Sequence, residues 1–251
     1  MKKEFPEDMV PLENKEFRFS CHSGLQCYTL CCKNVDMYLF PYDILRLKNA
    51  VGLDSETFLR KHTHMVKGVN PYFPSLMLKL TDGQNACPFL LSDGCSVYED
   101  RPSSCRTYPL ERAVDRDAPR KTRKDYYFLT DHPYCLGHGE NCSFTVNEWA
   151  RNQKIHIFNL MNDLWAELDS IFLMNPWQGE GSGGPKQQLS FMACYNIDGF
   201  RKYTQSNDIF GHFRLARELK KEMERNDTEL LKFGFEWLKF VLTGKSNLVK
   251  K

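Results

Sequence analysis

The sequence predicts an α+β protein: a cysteine-rich, loop-heavy metal-binding module with short strands, followed by a mostly helical C-terminal part. Three observations carry this expectation. Nine of the ten cysteines lie between positions 21 and 142. Short apolar runs within that stretch alternate at the two-residue period of a strand and are interrupted by turn residues. Beyond position 145, apolar residues recur at the three- and four-residue steps of a helix face. The length of 251 residues, with 41% hydrophobic residues, is enough to bury a core without disulfide staples. A net charge of 34 − 32 = +2 gives no signal for nucleic acid or an anionic membrane as partner.

The elements follow in order. Residues 1–16 are a polar lead-in. Residues 17–19 form a short strand that delivers the first cysteine. The stretch 21–34, with Gly24, Gln26 and Asn34 and no periodicity, is a loop wrapped around something. Pro41-Tyr42-Asp43 opens a helix with Ile44, Leu45 and Leu47 on its apolar side, and Gly52 closes it. Asp54 is the N-cap of a second short helix through Phe58 and Leu59. Leu76, Leu78 and Leu80 alternate with Met77 and Lys79 as in a strand. Turns at Thr81-Asp82-Gly83 and Ser92-Asp93-Gly94 suggest a hairpin across residues 75–98. Arg101-Pro102 breaks the backbone before a short turn or helix that carries Cys105.

Residues 111–125 alternate in charge and are expected to be a solvated loop, with a patch for an acidic ligand or partner as the alternative. Tyr126 to Leu129 read as a strand. Thr145 and Glu148 form a capping box, and the helix they start is expected to reach about Met174. Ile155, Phe158, Met161, Leu164, Trp165, Leu168 and Phe172 give it a core face. Asn175-Pro176 ends it, and the Gly-rich residues 178–187 are expected to be a flexible linker. Gly199 to Tyr203 and Phe213 to Met223 look helical. Asn226 to Glu229 cap a final helix through Leu242, closed by Gly244, with Phe233, Trp237, Phe240 and Val241 on its buried side. The expected organisation is a lead-in (1–16), a cysteine module (17–144) and a helical region (145–251).

The N-terminus, Met1-Lys2-Lys3-Glu4-Phe5-Pro6, has no apolar stretch of the kind that directs export. The expected setting is therefore a reducing cytoplasm, away from membranes, where a structural disulfide framework is disfavoured. The thiols fall into Cys21-x5-Cys27-x3-Cys31-Cys32, then Cys87-x7-Cys95-x9-Cys105, then Cys135 and Cys142. No Cys-x2-Cys pair occurs, which argues against a standard zinc finger and a thioredoxin-like redox motif. Adjacent Cys31 and Cys32 leave the backbone in different directions. They suit a polynuclear cluster or two neighbouring metal sites better than one lone ion. Thiolates select zinc, copper(I) or iron–sulfur clusters over oxygen-loving metals. Cys194, alone in the apolar run Phe191 to Tyr195, is expected to be a small buried hydrophobe.

The string Cys87-Pro88-Phe89, through Cys95, to Arg101-Pro102-Ser103-Ser104-Cys105-Arg106-Thr107-Tyr108-Pro109 resembles the YkgJ-type cysteine-cluster family, the zinc- or iron-chelating CxxCxxCC domain. The likeness continues through Cys135-Leu136-Gly137-His138-Gly139. It is looser at Asp198 to Arg201 and Leu230 to Phe233. The resemblance implies about eight metal-binding cysteines, which map here to Cys21, Cys27, Cys31, Cys32, Cys87, Cys95, Cys105 and Cys135. Eight thiolates suffice for one or two 4Fe–4S clusters, or for two tetrahedral zincs. The first cluster departs from the family pattern, with gaps of five and three where the pattern has two and two. Cys142 matches nothing in the motif. The family's flagellin lysine methylases carry a related cysteine cluster and are similar to iron–sulfur proteins, which favours iron but transfers no activity.

The resulting expectation is an iron–sulfur protein with a redox, electron-transfer or protein-modification-related role. The alternatives are a structural or interaction protein built on zinc and a methylase-like enzyme with an open cluster site. The partner, protein or small molecule, is unknown, and no catalytic residue stands out. Cys27-x3-Cys31 fits only the first gap of a radical S-adenosylmethionine loop. No Rossmann or phosphate-loop glycine pattern occurs. His62-Thr63-His64 offers two imidazoles that are more often an incidental surface pair. His22 is a neighbour of Cys21, and His138 lies between two glycines after Cys135. Arg101 and Arg106 would either offset the charge of an anionic cluster or pair with Glu99 and Asp100. Tyr98 and Tyr108 are packing residues, with Tyr108 able to donate to a cluster sulfur.

Overall fold

The computed structural model describes residues 5, 9–13, 15–114 and 124–251. The first strand, β1 (Phe17–Arg18), leads into a series of turns that ends in a 3-10 turn at Leu30–Cys32. After β2 (Tyr38–Leu39), α1 (Pro41–Ala50) starts with proline in its first turn. The Asp43 carboxylate accepts the Phe40 N–H at 3.0 Å, satisfying an amide that the helix itself leaves free. Gly52, with φ +66°, adopts the left-handed conformation that lets the chain leave the helix. Asp54 accepts the Thr57 N–H at 3.0 Å and caps α2 (Ser55–His62).

β3 (Thr63–Val66) and β4 (Ser75–Leu78) complete a three-stranded antiparallel sheet in the order β2-β4-β3. Leu76 and Leu78, on one face of β4, are buried. A hairpin spanning 75–98 is therefore not what forms, because both edges of β4 are already taken by strands on its N-terminal side. The hairpin is smaller, β5 (Leu90–Leu91) against β6 (Gly94–Cys95). The short helix expected around Cys105 is α3 (Ser103–Thr107).

Next come β7 (Leu110–Val114) and β8 (Asp125–Leu129), paired antiparallel from Leu110 opposite Leu129 to Val114 opposite Asp125. The start of the charge-alternating run is thus a strand and not a solvated loop. Arg112, which made the run look like surface, is half-enclosed and held by Asp163 at 2.8 and 3.0 Å and by Asp125 at 2.7 Å. The rest of that run, residues 115–123, lies outside the described residues. β9 (Ser143–Phe144) returns to pair with β1.

The capping box forms as expected: the Glu148 carboxylate accepts the Thr145 N–H at 2.8 Å at the start of α4 (Val146–Asn152). The single helix expected to reach Met174 is two, because α5 (Ile155–Phe172) begins only after Lys154, whose φ is +53°. The break frees the Gln153 carbonyl from helical bonding, and the Arg106 guanidinium takes it at 2.6 Å. The expected linker is an ordered series of turns running into α6 (Pro185–Tyr195). There the Lys186 N–H bonds Glu180 at 2.7 Å and the Gln187 amide bonds the Tyr72 carbonyl at 2.7 Å. α7 (Ile197–Ser206) is capped by Asn196. α8 (Arg217–Arg225) begins four residues later than Phe213, which instead bridges to Lys250 near the C-terminus. α9 (Asp227–Thr243) is capped by Asn226 and closed by Gly244 at φ +73°. Among the described residues, no helix is long and apolar enough to cross a membrane.

One large core joins the three-stranded sheet, α1 and α2 to α5, α6, α7 and α9. Its centre includes Leu47, Phe58, Leu168, Phe172, Phe200, Phe235 and Leu238, all essentially without exposed surface. The face of α5 predicted from its periodicity is the one that is buried. A second, smaller core of Phe17, Phe19, Leu110, Trp149 and Ile155 underlies β1, β9 and α4. Cys194 is 2% exposed, in the main core as expected.

α1 is also fastened by charge. Lys48, almost fully buried, lies 3.2 Å from Asp198 and 3.2 Å from Asp227. Burial works to raise the pKa of both carboxyls, but the hydrogen bonds from Ser55 to Asp198 and from Arg201 to Asp227, together with the Lys48 charge, hold them below the usual range. Lys48→Met should take the buried cation away from Asp198 and Asp227, the second of which keeps Arg201, and cost about 3 kcal/mol, measured by urea unfolding at pH 7. Because these carboxyls are depressed in the folded state, their contribution is present above the unfolded pKa and is lost as pH falls below about 4. Acid unfolding of the wild type should therefore set in below that value, and the variant should unfold at higher pH.

Candidate metal centre

The cysteine loops are drawn together by backbone bonds between segments far apart in sequence. Beyond β1, the Phe19 N–H donates to the Cys142 carbonyl at 2.9 Å and the Ser20 N–H to the Gly137 carbonyl at 3.0 Å. This lays the segment carrying Cys135 alongside the one carrying Cys21. Gly137 permits the approach: a Cβ there would sit 2.7 Å from the Ser20 carbonyl oxygen and 2.8 Å from the Phe19 ring. The next amide, Leu136 N–H, donates to Cys27 Sγ at 3.2 Å. Burial raises the Cys21 pKa to about 11, and the nearby Cys31, Cys135 and Cys27 push in the same direction. Cys21, Cys27, Cys31 and Cys135 thus share one neighbourhood.

A second neighbourhood forms on the other side of the vicinal pair. The Cys87 N–H donates to the Cys32 carbonyl at 2.7 Å, beside a bridge between Lys33 and Ala86. Cys95 lies in the small hairpin opposite Leu90, and Leu90 N–H bonds back to the Cys87 carbonyl at 3.0 Å. The hairpin turn rests on Tyr28. Gly94 there has φ +131°, and a Cβ on it would be 2.5 Å from the Tyr28 hydroxyl. Cys105 faces this group from α3. It retains accessible surface although protein packs densely around it, and its Sγ is 4.0 Å from Met37 Sδ. Burial first, and then Cys87, Cys31, Cys95 and Asp43, raise its pKa to about 12. Burial likewise raises Cys87 and Cys95, with the Arg101 charge working the other way on Cys95.

The two neighbourhoods meet at Cys31 and Cys32. The two adjacent thiols act on each other, which lowers the pKa of Cys31 to about 7 and raises that of Cys32. Cys31 acts electrostatically on thiols of both groups, whereas Cys32 faces Cys87 and Cys105. Partly enclosed thiols that raise one another's pKa favour a cation in place of their protons. A set of eight sulfur donors suits a thiophilic metal. Among the described residues, no three Cys, His, Asp or Glu side chains already close on a single point as a finished cage. The fit to metal rests on the kind of donor and on its grouping.

The remaining candidates separate clearly. Cys142 is exposed and contributes its carbonyl to the strand pairing. His22 turns to Glu140 at 3.3 Å and accepts the Gly24 N–H through Nδ1. His62 is not a surface residue. It packs 5.2 Å from the rings of both Phe58 and Phe89, while His64 faces outward on β3, so the two imidazoles are not a metal pair. His138 packs against Phe19 and lies 3.4 Å from the Tyr108 hydroxyl and 3.6 Å from Asp131. Tyr108 stacks on His132, and burial first, then the nearby Cys135, raises its pKa.

The alternative pairing of Arg101 and Arg106 with the carboxylates of Glu99 and Asp100 does not occur. Asp100 bonds Arg46 and Glu99 bonds Lys154. Arg101 stacks on Tyr98 with its guanidinium 3.7 Å from the ring centre, and it bonds the Tyr98 carbonyl and Gln153. Arg106, 2% exposed, bonds the carbonyls of Glu99 at 2.7 Å and Gln153 at 2.6 Å and lies over Phe158. Asp43 does more than open α1. Asp43 is fully buried and takes two hydrogen bonds from Ser103, at the start of the helix that carries Cys105. Its place near the helix start explained it locally, and nothing in the sequence links it to a serine sixty positions away.

Residues 20–136 match the CxxCxxCC family model, whose description is "Putative zinc- or iron-chelating domain". No curated protein and no solved structure matches the chain. The matched span contains all eight cysteines that the resemblance singled out and stops short of Cys142. Gly137→Ala should force apart the segments carrying Cys21 and Cys135. The expected result is a drop in metal bound per chain, with a loss of stability of about 1–3 kcal/mol from overpacking. Elemental analysis and thermal unfolding of the purified variant read both quantities.

Proposed function

We propose that the CxxCxxCC domain of residues 20–136 binds iron as two iron–sulfur centres and that the protein works in one-electron redox chemistry. The first ligand set is Cys21, Cys27, Cys31 and Cys135; the second is Cys32, Cys87, Cys95 and Cys105. The observation that carries this is the grouping of Cys21, Cys27 and Cys135 on one side and of Cys87, Cys95 and Cys105 on the other, with adjacent Cys31 and Cys32 between them. Side chains of consecutive residues diverge, so each can serve a different centre. Support also comes from the domain description, which names iron and zinc as the metals chelated.

When bound, such a centre supplies one-electron transfer at a potential set by its surroundings. The chain supplies those surroundings. The Leu136 N–H donates to Cys27, and the Tyr108 hydroxyl stands near Cys135. Each draws negative charge off a ligand sulfur. The Arg101 guanidinium, held in place by Tyr98 and Gln153, does the same for Cys95 from a distance. Hydrogen bonds and positive charge near sulfur favour the reduced state and so raise the potential.

Protein purified without oxygen should be brown and contain about eight irons and eight sulfides per chain for two four-iron clusters. Cys31→Ser and Cys32→Ser should each lose about half of that iron, while Cys142→Ser keeps all of it. A colourless protein with two zincs per chain would replace iron with zinc on the same ligands. Full metal content in both vicinal variants would sink the two-centre assignment.

A further inference from the structure

We propose that Asp43 is the positioning residue of the second thiol set, fixing where Cys105 stands relative to Cys32, Cys87 and Cys95. Naming Cys105 a metal ligand rests on the function proposed above; the mechanical link from Asp43 to Cys105 does not.

Asp43 is an ionisable side chain with no exposed surface. A buried carboxylate is costly unless its oxygens are fully engaged. Here they are engaged by two helix starts at once. Oδ2 accepts the Phe40 N–H at 3.0 Å, at the head of α1. Oδ1 accepts the Ser103 N–H at 2.8 Å and Oδ2 the Ser103 hydroxyl at 3.1 Å, at the head of α3. An ordinary helix cap needs only the first of these contacts. The other two cross sixty residues of sequence and end two residues before Cys105.

The helix so held is only five residues long and has no side-chain cap at its own N-cap, Pro102. A helix this short does not hold itself together, so its placement must come from outside. Asp43 pins its first residue. Arg106 pins the other end through the carbonyls of Glu99 and Gln153, with its guanidinium over Phe158 of α5. Cys105 lies between these two anchors. Of the two, Asp43 alone fastens α3 to α1, and α1 in turn packs against α5, α6 and α9. The carboxylate therefore references a thiol of the metal module to the helical core.

The test pulses the full chain, purified anaerobically under reducing conditions, with iodoacetamide and compares alkylation of Cys105 and Cys21 by peptide mass spectrometry. Asp43→Asn keeps the size of the side chain but removes the charge and an acceptor. Alkylation of Cys105 should rise about tenfold relative to Cys21, the scale set by losing a buried charged acceptor. Ser103→Ala, which removes only the hydroxyl bond, should shift the ratio in the same direction by less. The double variant should match Asp43→Asn alone. A general loss of stability would instead raise both cysteines together. An unchanged ratio in Asp43→Asn and Ser103→Ala, or an equal rise at Cys21, overturns the proposal. Should Asp43→Asn fail to fold, Ser103→Ala gives the ratio by itself. The function proposed above fails separately: a protein without metal that still shows the selective rise at Cys105 keeps the positioning role and loses the iron–sulfur assignment.

Discussion

Thiols resist being brought together. Each one enclosed by protein becomes harder to ionise, and each thiolate formed makes its neighbours harder still. The raised pKa values of Cys21 and Cys105 express that resistance. A fold that gathers eight such groups from three separate stretches must hold them with interactions that do not depend on the thiols. Here the holding is done by backbone. Ser20 to Gly137 and Cys87 to Cys32 are amide–carbonyl bonds between loops more than fifty residues apart. They join the loops in the way a sheet would, with little regular sheet present.

The loops have little core of their own and borrow rigidity from two sources. Phe17, Phe19 and Trp149 form an edge-to-face aromatic group under the Cys21 and Cys135 segments. The Cys105 segment leans on α1, which is built into the main core. α1 thus serves in two directions. Lys48, toward its end, bonds Asp198 and Asp227 of the C-terminal helices, while Asp43, in its first turn, bonds the start of α3. Residues on either side of position 145 share one core, so the helical part acts as the foundation of the cysteine loops.

Much of the local structure was legible. The caps at Asp54, Thr145 and Asn226 and the glycine stops at Gly52 and Gly244 stand where their chemistry suggests, because a cap is a contact within three or four residues. The buried face of α5 followed from periodicity. The failures share a cause. The Leu76 to Leu80 alternation identified a strand but not its partners, since pairing is a long-range choice. Glu111 to Val114 looked like solvated surface because a carboxylate that satisfies Arg112, Asp163, lies on a distant helix. The break at Lys154 is invisible in a continuous apolar face, and it accompanies the capture of the Gln153 carbonyl by Arg106.

For the candidate site, the sequence by itself supplied the eight thiols that the family resemblance marks as donors. The count of cysteines, their spacing, the adjacent Cys31-Cys32 pair and the motif around Cys105 point to the zinc- or iron-chelating domain that residues 20–136 match, because ligand chemistry resides in residue type. It could not say which thiols are neighbours. Tertiary structure alone placed Cys135 with Cys21 and Cys27, set Cys32 against Cys87, turned His22 and His62 to other work, and made Asp43 a link between helices. The physical reason is that these relations depend on where a backbone amide or a buried carboxylate finds its partner. In this protein the partners lie tens of residues away, brought close by burial of a core whose pattern says nothing about which thiols it will bring together.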